Sequence, residues 1–459
     1  MSNDKKIKIG EVGIYDARQL GIPRMLILGI QHTFAMFGAT VLVPILTGLD
    51  VSTTLLMAGL GTLLFHLITK GKVPAFLGSS FAFLGGYSAV APRLADGAAN
   101  TEMLPYACGG VLVAGFVYVV MSALISVFGI RRIMRFFPPV VTGPIIISIG
   151  LILAPSAITN ASENWLLAFI ALAVIVICNI WGKGMIKIVP ILIGIVMSYI
   201  VAIFMGEVNF EAISSSQVFA MAPLSLPKFS FSAVVTIMPI ALATMMEHIG
   251  DMAAISATTG KNYLNDPGLH RTLLGDGLAT SLSALGGGPA NTTYGENTGV
   301  LALTKVYDPR VMRIAALVAI ILSFFPKFGA AIETVPSAII GGVSFMLYGM
   351  ISAIGIRNVV ENKVDFTQSR NLIIAAVILV SALGFNSIGG ITFQVGSFTI
   401  NLSGLAIAAI AGIVLNAIIP GNDYQFGGEH TPDHEVTVYD SSSRCNCPVS
   451  KAVQPRCLN

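Results

Sequence analysis

Glu247, His248 and Asp251 lie near the end of an apolar run, 233–255, that is long enough to cross a bilayer. A carboxylate at membrane depth costs on the order of several kcal/mol, so such groups face a cavity or a partner rather than lipid. Glu247 and Asp251 are four apart, one turn from each other on the same helical face. A further carboxylate, Glu296, sits in a second polar island, Asn291-Thr292-Thr293-Tyr294-Gly295-Glu296-Asn297. Two carboxylates one turn apart in a dry setting are expected to share a proton near neutral pH. A substrate that favours one protonation state then shifts the balance between inward-open and outward-open forms. This chemistry points to a membrane transporter in which substrate and proton meet between the two islands.

The remaining polar residues in apolar runs divide between coupling and structure. His248 points about 100° away from Glu247 on a helix; a proton relay is one reading, and a ring satisfied by neighbouring backbone is the expected one. His32, beside the equally polar Gln31, is open between the same two. Asp276, in Gly275-Asp276-Gly277 near the start of a short span, reads as a helix cap before a coupling residue. His66 reads as packing.

These residues need membrane-spanning elements to hold them. The chain has 459 residues, 54% hydrophobic and 11% charged, with a mean hydropathy of +0.81. A soluble domain carries about 25% charged residues, so the composition is that of a polytopic membrane protein, and the net charge of +3 says nothing of nucleic acid. The first segment, 1–19, is polar and basic, so the first span is expected to act as its own insertion signal. Five cysteines are too few and scattered for a disulfide framework. Cys108 and Cys178 fall in apolar spans as packed thiols. Cys445, Cys447 and Cys457 fall in a polar tail, 424–459, that reads as disordered; they are expected to be unemployed thiols rather than metal or lipid sites.

Spans are expected at 25–46, 51–69, 106–128, 140–157, 165–181, 188–205, 233–255, 311–325, 338–354 and 402–419. Shorter ones fall at 272–285 and 372–383. Two segments, around 78–91 and 292–303, are apolar but interrupted by Gly, Ser, Thr and Asn, and bring the total to fourteen. With both ends cytoplasmic, only Arg93, Lys228 and Lys327 of the 26 Lys and Arg fall outside, the asymmetry expected of the positive-inside rule.

The interrupted segments look alike. Each has Pro-Ala (Pro74-Ala75, Pro289-Ala290), then a hydroxyl pair and an aromatic (Ser79-Ser80-Phe81, Thr292-Thr293-Tyr294). Pro138 with Gly143 likewise matches Pro336 with Gly341. These features are third and tenth, and fifth and twelfth, among the spans. A repeat of seven spans, an odd number, inserts its halves upside down relative to each other. The extended stretches in segments 3 and 10 would cross near the midplane, helix N-termini inward, where free amides suit a carbonyl-rich or anionic ligand.

With Gln31-His32, Met36-Phe37-Gly38-Ala39-Thr40, Gly78-Ser79-Ser80-Phe81-Ala82-Phe83, Glu247-His248-Ile249-Gly250-Asp251, Asp266-Pro267-Gly268-Leu269-His270-Arg271 and the 291–297 motif, the chain resembles the nucleobase–cation symporter-2 (nucleobase–ascorbate transporter) family, and in it the uracil-permease branch. The match spans roughly 22–420. The resemblance implies an all-α polytopic fold of fourteen transmembrane segments in a 7+7 inverted repeat, with a core (21–130 and 232–326) and a gate (138–206 and 335–420). It also implies a homodimer through the gate, and a co-transported proton or sodium ion in place of any cofactor. A cytoplasmic segment, 1–20, and a cytoplasmic tail, 421–459, flank the membrane domain. By the same resemblance Glu247 and Glu296 hydrogen-bond the uracil ring, the Phe81 and Gly295 amides meet its oxygens, and Ala39, Tyr294 and Tyr348 wall the pocket. Asp251 departs from the pattern, standing where a uracil-transporting relative has histidine.

The residues support this chemistry independently. Uracil offers two N–H donors and two carbonyl acceptors around a flat face, and an ionised carboxylate can only accept. Rival readings are a channel, which needs a continuous polar lining; an anion exchanger of related fold, which two substrate-facing carboxylates disfavour; and a membrane enzyme, for which no nucleophile or metal-ligand spacing is present. Xanthine or urate is the competing substrate class.

Overall fold

The computed structural model describes residues 9–94, 98–395 and 398–421; the tail with Cys445, Cys447 and Cys457 lies outside the described residues. Its helices follow the chain as α1 (Ile22–Thr47), α2 (Val51–Ile68), α3 (Leu84–Val90), α4 (Leu104–Phe128), α5 (Pro139–Ser162), α6 (Trp165–Trp181) and α7 (Pro190–Met205). The second series is α8 (Phe231–Thr259), α9 (Leu269–Leu285), α10 (Gly295–Thr304), α11 (Pro309–Ser323), α12 (Ser337–Glu361), α13 (Ser369–Ser387) and α14 (Gly404–Ile418). Strand β1 (Leu77–Ser79) precedes α3 and β2 (Asn291–Thr293) precedes α10. Seven of the helices are individually long and apolar enough to cross a membrane. Local chemistry sets their ends. Asp50 caps α2 by accepting from the Thr53 amide at 2.6 Å, and left-handed Gly48 and Gly206 close α1 and α7.

The packing repeats with a shift of seven. Helix α4 packs on α9 as α11 does on α2, α6 on α7 as α13 on α14, and α5 on α13 as α12 on α6. Likewise α2 touches β1 as α9 touches β2. Two contacts map onto themselves, α5 with α12 and β1 with β2, which places both on the pseudo-twofold axis. The fold is thus the fourteen-segment 7+7 inverted repeat, helical throughout except for two small two-stranded sheets among the described residues. The second sheet, a hairpin of β3 (Ile391–Val395) and β4 (Phe398–Leu402), had no counterpart among the expected elements.

The α5–α12 contact is close because glycines meet backbone. A Cβ on Gly150 would lie 2.1 Å from the Tyr348 carbonyl oxygen and 2.3 Å from Ser352 Oγ, whose hydroxyl donates to the Ile147 carbonyl at 3.0 Å. Both helices open after the prolines noted in the sequence, with Pro138 and Pro336 at their N-caps.

Strands β1 and β2 pair antiparallel, Leu77 opposite Thr293, Gly78 opposite Thr292 and Ser79 opposite Asn291. Ser80 N–H donates to the Ala290 carbonyl at 2.8 Å and Tyr294 N–H to Phe76 at 3.0 Å. Three strand residues a side leave polar groups over, and hydroxyls of α2 and α9 take them. Thr62 Oγ1 accepts from Leu77 N–H at 2.9 Å, and Thr280 Oγ1 donates to the Asn291 carbonyl at 2.6 Å. His66 Nε2 bonds the Ala75 carbonyl at 2.8 Å, in line with its structural reading.

Residues 9–20 lie against the loop between α10 and α11. Ile14 bridges Val306, Ala17 N–H donates to Asp308 Oδ2 at 2.7 Å, and Arg310 Nη1 reaches Asp16 at 2.9 Å and Asp308 at 3.0 Å. The hydrogen-bonded Arg18 guanidinium holds the Asp16 carboxyl down at about 2. Cys108 and Cys178 are buried thiols.

Two tests follow from this packing. Gly150→Ala should cost about 1–3 kcal/mol, as overpacking does, lowering the thermal midpoint in detergent, while Gly349→Ala, with nothing within 4 Å, should not. Thr62→Val orphans a buried amide and should cost about 1–3 kcal/mol in the same assay. An unchanged midpoint for Gly150→Ala or Thr62→Val would contradict the corresponding contact.

Candidate functional site

The strand pair aims two helix starts at one place. Chain leaving β1 turns at Phe81 into α3, and chain leaving β2 turns at Gly295 into α10. Neither Ser80, at the N-cap of the 3-10 turn (Phe81–Phe83) that leads into α3, nor Tyr294, at the N-cap of α10, makes a side-chain capping bond, so first-turn amides remain there for another acceptor. Tyr294 can lie flat because its neighbour is glycine: a Cβ on Gly78 would come within 2.6 Å of the Tyr294 ring. The phenol donates to the Ser79 carbonyl at 2.9 Å and Thr40 Oγ1 donates to it at 3.3 Å, which fixes α1 to the crossing.

One hollow is formed where these elements meet α8. Glu247, Asp251 and Glu296 line it, together with Phe81, Tyr294 and Gly295. Ser79, Thr292 and Thr293 line it from the strands. Opposite them stand Ile146 of α5 and Ile351 and Ile354 of α12, an apolar wall from the other end of the pseudo-axis. Glu247 Oε2 and the hydroxyls of Ser80, Thr292 and Tyr348 are buried without a hydrogen-bond partner. Asp251 Oδ2 accepts from Thr293 Oγ1 at 2.9 Å. No lysine or arginine is among the residues lining the hollow.

The structure therefore brings Glu247, Glu296, Phe81, Gly295, Tyr294 and Asp251 to one place. Tyr348 is set back; its ring meets the Phe81 ring edge-on at 5.9 Å. Ala39 is wholly buried in α1 and does not line the hollow. His248 has a different environment from the one expected of it. Its Nδ1 lies 3.3 Å from Thr293 Oγ1 and 3.4 Å from Asp276 Oδ2, with no backbone partner. Asp276 is likewise no helix cap. Helix α9 starts at Leu269 after Gly268, which puts Asp276 two turns inside it and fully buried; the expected start was late because His270 and Arg271 interrupt the apolar pattern. His32 Nδ1 meets Asn297 Nδ2 at 3.2 Å, a side-chain partner rather than backbone, and its Nε2 is buried without one.

The three isoleucines escaped sequence reasoning, since nothing separates them from other isoleucines in apolar spans. Thr292 and Thr293 lay inside the polar motif but had no assigned task. Their signal was a hydroxyl pair at membrane depth, where such groups need partners.

Comparison with known proteins agrees with this geometry. The family model Xan_ur_permease, described as the Permease family, matches residues 23–388. A uracil permease of Bacillus caldolyticus is 42% identical over 409 residues, covering 86% of this chain and 91% of that protein. A uracil permease of Bacillus subtilis (strain 168) is 42% identical over 410 residues, covering 85% and 91%. The putative pyrimidine permease RutG of Escherichia coli (strain K12) is 40% identical over 404 residues, covering 86% and 89%. Among solved structures, the transmembrane domain of the cyanobacterial bicarbonate transporter BicA superposes with a TM-score of 0.57 at 15% identity, over 88% of this chain and 99% of that one. SLC26A9 superposes at 0.63 with 13% identity, over 88% and 66%. At those identities the structures speak to fold alone. A strand-crossed inverted repeat, a carboxylate-lined hollow at the crossing, and relatives matched over nearly their whole length leave one assignment: the chain is a multi-pass membrane protein that belongs to the Permease family, in its uracil-permease branch, the nucleobase–cation symporter-2 group.

Proposed function

We propose that the chain imports uracil across the cell membrane in symport with a proton, by alternating access to the hollow at the strand crossing. The observation that carries this reading is the convergence of Glu247 and Glu296, from α8 and α10, on one hollow beside two uncapped helix starts. Carboxylates take the ring N–H groups of uracil, the amides near Phe81 and Gly295 take its carbonyls, and the Phe81 ring covers its face. Relatives named as uracil and pyrimidine permeases support the choice of base.

Charge supports the coupled proton. Glu247, Asp251 and Glu296 share a hollow lined by no basic side chain. Such a group of carboxylates cannot all stay ionised without a compensating cation. A bound proton supplies that compensation, lets the loaded site move, and leaves with the substrate. Sodium could neutralise the same charge, and the assay below separates the two. In this reading α1–α4 and α8–α11 form the core that carries the site. Helices α5–α7 and α12–α14 form the gate, through which two copies pair. Both termini lie in the cytoplasm, the orientation that puts all but Arg93, Lys228 and Lys327 of the 26 Lys and Arg inside.

The test is uptake of labelled uracil by vesicles, with and without a protonophore, with sodium replaced by choline, and against unlabelled thymine and xanthine. Collapse by the protonophore, indifference to choline and preference for uracil are expected; preference for xanthine would reassign the substrate. Glu247→Gln and Glu296→Gln, normally inserted, should each bind uracil about 10–100-fold more weakly, the loss expected for a hydrogen bond to a charged group. Full uptake by both variants would discard the site.

A further inference from the structure

Behind the hollow lies a second ionisable group that is not among the residues lining it. Asp276 on α9 and His248 on α8 are both fully buried. Neither Asp276 oxygen makes a hydrogen bond, and His248 Nε2 has no partner. His248 Nδ1 sits between two oxygens, 3.4 Å from Asp276 Oδ2 and 3.3 Å from Thr293 Oγ1. That threonine hydroxyl donates to Asp251 Oδ2 at 2.9 Å, and Asp251 lines the hollow. One hydroxyl and one ring nitrogen thus join a carboxylate in the hollow to a carboxylate behind it. The ring of Phe65 on α2 meets His248 edge-on at 6.4 Å and closes the side of this path.

We propose that Asp276 is a second proton-holding site of the transport cycle, reached from Asp251 through Thr293 and His248. The inference rests on the proton-symport reading above. In the tautomer protonated on Nε2, His248 Nδ1 is free to accept. A proton leaving the Asp251 carboxyl is taken by Thr293 Oγ1 as the hydroxyl proton passes to Nδ1, and the same nitrogen then gives it to Asp276 Oδ2. One carboxyl becomes a carboxylate and the other the reverse, so net charge is unchanged and no further reactant is needed. Both transfers use one ring nitrogen, so the ring need not flip.

The groups facing Asp251 are Glu247 on its own helix, Glu296 from α10, Thr293 from β2 and Asp276 from α9. Those facing Asp276 are Glu247 and His248 from α8, Thr292 from β2, and Tyr118 of α4, whose hydroxyl donates to Thr244. None of these is basic apart from the imidazole. Moving a proton from Asp251 to Asp276 therefore takes it away from Glu296 and toward the back of the core. That frees Asp251 while the protein still carries the proton.

The test uses the full chain in proteoliposomes. Wild-type uptake is first driven by a pH gradient with and without a protonophore; if the protonophore has no effect, the symport reading itself fails. With that established, Asp276→Asn should keep uracil exchange at equal concentrations within about twofold and lose about tenfold or more of gradient-driven uptake, as loss of a proton-transfer group does. Thr293→Val should lose gradient-driven uptake to a similar extent, and Thr293→Ser, which restores the hydroxyl, should recover it with the wild-type pH profile. Gradient-driven uptake at the wild-type rate and pH profile in Thr293→Val would overturn the proposal. So would equal loss of exchange and driven uptake in Asp276→Asn together with failure of Thr293→Ser to rescue, which marks a merely structural cluster.

Discussion

A backbone amide or carbonyl left unpaired inside a bilayer costs on the order of several kcal/mol, and two segments of this protein are extended chain there. Everything around β1 and β2 answers that constraint. The strands pair with each other, and Thr62 and Thr280 reach in from equivalent helices to take the groups the pairing leaves over. Gly78 is the one residue small enough to let the Tyr294 ring lie across the join. Because the pair sits on the pseudo-axis, a single solution serves both halves. The reward for the broken spans is two helix starts with spare amides at the centre of the molecule, something no unbroken pair of spans can offer.

Electrostatics then sets the character of the hollow. BicA and SLC26A9 superpose on this protein at identities of 15% and 13%, so what they share with it is the fold, and the character of a site comes from its own residues. Here α8 brings Glu247 and Asp251, and α10 brings Glu296, against a facing wall of isoleucines from α5 and α12. Polar and apolar sides of the hollow thus belong to spans that pack in different parts of the repeat.

Much of this could be read from the residues. Carboxylates in an apolar run, matched Pro-Ala and Pro-Gly signals seven spans apart, and the placement of Lys and Arg were enough for the inverted repeat and for the neighbourhood of the site, because each is a local violation of what lipid allows. Three things could not be read. Ile146, Ile351 and Ile354 obey the lipid rule and so leave no mark. The true start of α9 was hidden by His270 and Arg271, which made Asp276 look terminal when it is central. His248 was assigned to backbone because its partners, Thr293 and Asp276, come from a strand and a helix distant in sequence. Hydrogen bonds between separate elements are invisible to spacing along one of them.

The antiparallel register of β1 and β2 has a consequence for how this protein can vary. Side chains on a strand alternate sides, so the contact of Thr293 with Asp251 depends on the residue count along β2. Adding or removing one residue between 291 and 293 would turn the residue at that place to the opposite side and shift the start of α10 against the crossing. The stretch is therefore fixed by counting as firmly as by chemistry: it can be edited letter by letter, but its length is frozen.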